Sequence, residues 1–253
     1  MEVHHHSHRG KKWHEYLTEF FMIFLAISLG FMAESYLAYS KERQLEHEFL
    51  VALVVDLKTD TANINHSFEQ SRALEENTNT LTQLVYADLS NLPAQIKLYE
   101  CSKSMMAKTF DVPFAQGTMN QLKHDGGLSL IRNRDILHAI KEYDNHTEII
   151  KHQFEGVSQR YTELIAAEKT LFFHKAWIQK SNSRQLDIDT TFIRQTFDVW
   201  GTALVTPQPE ALIQLDNTAN LYYSYVSFYN DLCKRQVDRA IQLMTLIKND
   251  LEE

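Results

Sequence analysis

No glycine or proline occurs between Gly30 and Pro93. These two residue types are what most often cut a chain into short elements. A chain that avoids both over such a length is committed to very long helices. The same economy holds throughout: seven glycines and four prolines in 253 residues favour long helices over strands and tight turns. The breaker-free stretch follows a charge-free run, FFMIFLAISLGFMA, from Phe20 to Ala33. Fourteen residues alone suit a buried core helix or the apolar part of a signal peptide. The flanks lengthen it. From Tyr16 to Tyr39 there are 24 residues with two carboxylates, Glu19 and Glu34, both near the ends, where a side chain can reach polar surroundings. Trp13 and Tyr16 on one side, and Tyr36 and Tyr39 on the other, match the aromatic belts of a spanning helix. The residues before Glu34 read Phe-Met-Ala, which lacks the small-x-small cleavage pattern. The expectation is an uncleaved transmembrane anchor at 16–39, with a buried core helix as the competing reading.

Placement follows from the flanking charges. Arg9, Lys11 and Lys12 precede the run; Lys41 and Arg43 follow it. This narrow bias sets residues 1–15, a His-rich basic tail, on the cytoplasmic side of the inner membrane. Residues 40–253 then form a periplasmic domain. LYYSYVSFYNDL is too short and too polar to be a second span. Within the first run, Glu19, Ala26, Gly30 and Ala33 share one narrow helical face. Small residues four apart let helices approach closely in lipid, which makes this face a candidate seam for association. Small residues are also simply common in spans. A carboxylate on that face raises a second idea, Glu19 as a proton carrier in an ion-driven complex.

The remainder reads as an all-α, extended helical bundle. Leu50, Leu53, Leu57, Ile64 and Phe68 form an apolar stripe, continued by Leu74, Leu81 and Val85. The anchor is therefore expected to run on into the domain, with a break possible in the Asn/Thr-dense region 59–82. A helix from Asn91 or Ser90 to about Lys108 carries Pro93 in its first turn. FDVPF is a loop, and Thr118–His124 a short helix. The spacing predicts a long helix capped by Asn133 and extending to about Gln179. KSNSRQ is a loop, Asp189–Trp200 a shorter helix, and GTALVTPQPEAL irregular. A last helix runs from about Asp216 to Leu251, its Tyr222, Tyr223, Tyr225, Phe228 and Tyr229 read as packing residues.

The segment TMNQLKHDGGLSLIRNRDILHAIKEYDN has its own local logic. Gly126 and Gly127 permit a tight reversal. Leu128, Leu130 and Ile131 plug the corner into the core, and Asn133 starts the next helix. The segment also resembles a signature of uncharacterised single-pass membrane proteins of the Bacteroidota. The matching positions are Thr118, Leu122, Gly126 or Gly127, Leu128, Leu130, Ile131, Asn133, Ile136, Ile140 and Tyr143. The family's Ser-Gly is Gly126-Gly127 here, and its second Tyr is Asp144. The opening MEVHHHSH and the Glu-led apolar run are similar to the start of a subgroup of that family. The resemblance covers the anchor, the corner and, loosely, the last helix. It implies a helical domain on one inner-membrane anchor, and no activity.

Chemistry is sparse. A net charge of −8 opposes nucleic-acid binding, which needs a Lys/Arg-rich face. No P-loop, GxSxG, HExxH or GxGxxG is present. Carboxylates are scattered along helix faces, without a convincing acid/base pair. His138, His146 and His152 do not share a face. His124-Asp125 is a weak isolated pair. His4, His5, His6 and His8 have the metal affinity of any His-rich tract. Cys101 and Cys233 form no zinc spacing; they are either one disulfide or two buried thiols. No cofactor is called for. The partners expected are the lipid bilayer and either further copies of this chain or another membrane-complex component. Three functions compete: a non-enzymatic membrane-anchored scaffold or assembly component associating through its anchor and proximal helix, an extracytoplasmic ligand-sensing module, and an ion-driven complex subunit using Glu19.

Overall fold

Helix α1 runs unbroken from Trp13 to Ser71, 59 residues, or about 90 Å at the α-helical rise. The computed structural model describes residues 13–106, 110–124, 126–173, 190–205 and 208–252. Residues 1–12 of the His-rich tail lie outside them. Along α1 the surroundings change abruptly. The most apolar window is entirely uncovered by the rest of the chain. Burial begins at Glu46 and continues through Leu50, Leu53, Leu57, Asp60, Ile64, Ser67 and Ser71. α1 thus holds one stretch long and apolar enough to cross a membrane, followed by a stripe built into a bundle.

The other helices are α2 (Leu74–Val85), α3 (Leu92–Met106), α4 (Gly117–His124), α5 (Arg134–Leu171), α6 (Thr190–Trp200) and α7 (Pro209–Glu252). Among the described residues there is no strand, only an isolated antiparallel bridge between Phe172 and Leu204. α5 and α7 are antiparallel: Asn133 hydrogen bonds Asp250 at one end, and His146 meets Gln236 further along. α1 lies beside both, parallel to α5, since Glu46 reaches Arg132 and Asp60 reaches Tyr143. α2 continues along α7, and Thr82 donates to Asp216. After α3 the chain returns toward the exposed end of α1 as an extended strap, residues 110–116.

The helix ends have local causes. α1 stops where Ser71 Oγ turns back to Phe68 O, a bond that competes with continued helix. The break at Arg72-Ala73 falls inside the region where the sequence made one possible. Asn91 caps α3, its Oδ1 accepting from Ala94 N. α5 ends at Leu171, earlier than the spacing predicts, because Phe172 becomes extended and is buried against Tyr99. Residues 174–179 of that expected helix lie outside the described residues, as does KSNSRQ. α7 begins at Pro209, earlier than expected. Proline suits the first helical position because it lacks an N–H that would go unbonded there.

Two apolar clusters fill the bundle. The near one, toward the exposed end of α1, joins Leu50, Leu53, Leu57, Ile136, Ile140 and Leu243. The far one includes Ile64, Leu81, Tyr99, Ile150, Phe197, Tyr222 and Tyr229. Of the tyrosine-rich segment, Tyr222 and Tyr229 are core, while Phe228 is exposed.

Candidate functional site: the exposed helix and the corner that braces it

Glu19, Ala26, Gly30 and Ala33 are all exposed. A Cβ added at Gly30 would meet nothing within 4 Å. Gly30 and Leu57 are separated by 27 positions, which at 100° per residue places them about half a turn apart. The small-residue face therefore points away from α5 and α7, on the same side as exposed Val51 and Val55.

The corner anchors this helix at the point where burial begins. Gly126 has φ +71°, a conformation glycine adopts without strain. Gly127 is needed for closeness: a Cβ there would lie 3.0 Å from Leu122 Cα. Ile131 is buried and Leu128 packs on the near cluster. Leu130 is only half-buried and lies outside that cluster, so the expectation that it plugs the core is corrected. Asn133 caps α5, accepting from Asp135 N at 3.0 Å and Ile136 N at 3.4 Å.

Between Ile131 and Asn133 stands Arg132. Its amide donates to Glu46 Oε1 at 2.7 Å. Its guanidinium lies 3.6 Å from Glu42 Oε2 and 4.1 Å from the Tyr39 ring centre. Arg43 completes the arrangement, 3.2 Å from Glu46 Oε2. The brace thus grips α1 from Tyr39 to Glu46. None of Glu42, Glu46 and Arg132 stands out by motif. The available signal was positional: Glu46 continues the stripe of Leu50, Leu53 and Leu57, so a carboxylate there requires a partner.

A polar layer separates the two apolar clusters. Asp60, fully buried, accepts from Ala115 N at 2.6 Å and from Tyr143 OH at 2.7 Å. Gln236, also buried, donates to Tyr143 O and to Thr147 Oγ1, and accepts from His146 Nδ1 at 2.7 Å. Burial pushes the Asp60 carboxyl above its usual range and holds His146 below its own. A cavity of about 30 Å³ opens beside Asp60, lined by Asp56, Asn120, Lys123 and Asp144 among others; that volume suits a water molecule. The strap is tied to α1 by side chains alone. Ser67 donates to Phe110 O, Asn63 to Pro113 O, and Asp60 accepts from Ala115 N; just beyond the strap, in α4, Thr118 N donates to Asp56. In the far cluster, Lys103 pairs with Glu168, which also accepts from Ser102. Burial raises the Glu168 pKa and lowers that of Lys103.

The disulfide reading is corrected: Cys101 and Cys233 are both free. Cys101 donates to Asn77 O at 3.1 Å. Burial pushes the two thiols up to about 11 and about 12, respectively, which keeps them protonated and unreactive. The three helix histidines stay apart: His138 lies near Glu142, His146 is buried, and His152 pairs with Glu155. His124 is exposed with Nδ1 near Asn120 O, and Asp125 lies outside the described residues, as do His4, His5, His6 and His8. Among the described residues no three His, Cys, Asp or Glu side chains converge as a metal site. No family model, curated protein or solved structure matches this chain.

Proposed function

We propose that this chain is a non-enzymatic, membrane-anchored helical scaffold. Residues 16–39 span the inner membrane, the tail lies on the cytoplasmic side, and the bundle stands in the periplasm. Copies, or a partner in a membrane complex, associate through Glu19, Ala26, Gly30 and Ala33 and the outward face of the proximal helix. The observation that carries this reading is the continuity of α1: one helix is bare and apolar at one end and built into the bundle at the other. Soluble chains do not normally leave so long an apolar surface bare. The outward direction of the small-residue face leaves it free of obstruction by the chain's own domain. The ligand-sensing alternative would use the open groove of about 240 Å³ between α5 and α7, lined by His138, Glu142 and Arg239, rather than the water-sized cavity beside Asp60.

The test is sedimentation of the full chain in mild detergent over a range of concentrations, beside Gly30→Leu. The position is open: a Cβ added there meets nothing within 4 Å. The scaffold reading expects an oligomer that Gly30→Leu weakens at least tenfold. A monomer at every concentration contradicts association between copies through this face.

A further inference from the structure

The buried seam of α1 is aliphatic and repetitive, with Leu50, Leu53, Leu57 and Ile64 all inside. Such seams fit their neighbours in more than one setting, because each turn offers a similar knob to a similar hole. Two carboxylates interrupt the stripe: Glu46 and Asp60. Each takes a hydrogen bond from another element, Glu46 from the Arg132 amide, beside one from Arg43 on its own helix, and Asp60 from Ala115 N and Tyr143 OH. Their partners reach further. Asn133 beside Arg132 bonds Asp250 of α7, and Tyr143 shares its carbonyl with Gln236 of α7.

We propose that Glu46 and Asp60 are register pins that hold α1 in a single axial and rotational setting on α5 and α7. Alternative settings are penalised by unmatched polar groups. If α1 moves one turn so that each residue takes the place of the one four further on, Asp60 enters the site of Ile64. That site is fully buried within the far apolar cluster. If α1 moves one turn the other way, Ile64 faces Tyr143 and Leu50 faces Arg132. The Tyr143 hydroxyl and the amides of Ala115 and Arg132 then lose their acceptor. A buried polar group left without a partner is costly, whereas a mutual exchange for apolar groups is nearly neutral. The pins therefore act mainly against wrong settings and add little to stability in the right one. Their consequence is mechanical. Because α1 is continuous, a rotation or shift of its exposed stretch is delivered to α5 and α7 as a rigid movement. The inference depends only on the packing of the domain, and holds whether or not the exposed stretch lies in a membrane.

The experiment measures the distance between spin labels on α1 and α5 in the full chain. The labels are carried by a keto amino acid in place of exposed Lys58 and Lys141, which leaves the native thiols alone. The unaltered seam should give one narrow distance. The all-apolar seam, Glu46→Leu with Asp60→Leu and Tyr143→Phe, should give a broadened or second distance displaced by up to about one helical turn, roughly 5 Å. Asp60→Leu with Tyr143→Phe alone, which keeps Glu46, should show a smaller second population and decides the matter if the triple variant does not fold. One narrow, unchanged distance in the folded variants overturns the proposal.

Discussion

The two ends of α1 are one uninterrupted helix in opposite surroundings. From Trp13 to Leu45 the helix is almost wholly exposed, met by the bundle through Arg132 at Tyr39 and Glu42; from Glu46 to Ser71 one face is inside the bundle. The two parts differ in how their apolar residues are arranged. In the first part phenylalanines, leucines, isoleucines and methionines cover nearly every direction. In the second the large ones are concentrated on the seam, and the remaining faces are largely polar apart from exposed Val51 and Val55. An all-round apolar helix needs an apolar solvent or a complete protein coat, while a striped helix needs only one neighbour. The change from one pattern to the other falls where Arg132 and Glu46 meet.

The largest expected difference between the two parts concerns matched leucines. Leu57 is 0% exposed and Leu25 is 55% exposed. Leu57→Ala should destabilise the domain by about 2–5 kcal/mol, and Leu25→Ala should leave its unfolding unchanged in denaturant titrations. Equal effects would break the distinction. Charge comes next. Phe24→Arg should oppose membrane insertion by about 2.5–3.5 kcal/mol, seen as loss from floated vesicles. Val55→Arg, on the outward face of the packed part, should change stability by no more than about 0.5 kcal/mol.

The brace between the two parts can be weakened separately. Glu46→Ala leaves the buried side of the Arg132 amide without its acceptor and should cost about 1–3 kcal/mol. Gly126→Ala forces a side chain into a positive φ, at about 1–2 kcal/mol. Both should loosen the corner, read as faster amide exchange at residues 127–133, while the far cluster stays protected. The smallest effect is a pH dependence. Burial holds the folded His146 below its ordinary pKa, so on acidification the unfolded chain takes up that proton first. This contribution favours the fold at neutral pH and is lost as pH falls below about 6.5. His146→Asn, which keeps a donor toward Gln236, should lose less stability than the parent between pH 7 and pH 5. Asp60 and Glu168, whose raised pKa values act in the opposite sense, are common to both proteins and cancel in the comparison.

Much of the helical framework was legible because it is local. The lack of glycine and proline after Gly30 foretold an unbroken α1, and Asn133 with the paired glycines foretold the corner. Elements held from a distance were not legible. The strap reads as a plain loop because its ties come from Asp60, Asn63 and Ser67, dozens of positions away. α5 ends early because Phe172 finds Leu204, a contact no local pattern announces. The buried Glu46, Asp60 and Gln236 had left a trace, since each falls on an apolar stripe. A stripe shows that a polar residue needs a partner without saying which one.

The most direct comparison pairs Ile27 with Val55, which are 55% and 58% exposed in the chain itself. A nitroxide placed at each in turn, in the full chain reconstituted in lipid vesicles, reports its solvent through collisions with oxygen and with a water-soluble nickel complex. With residues 16–39 across the bilayer, position 27 should show high oxygen and low nickel contact, and position 55 the reverse. Equal, water-like contact at both positions would contradict the membrane anchor.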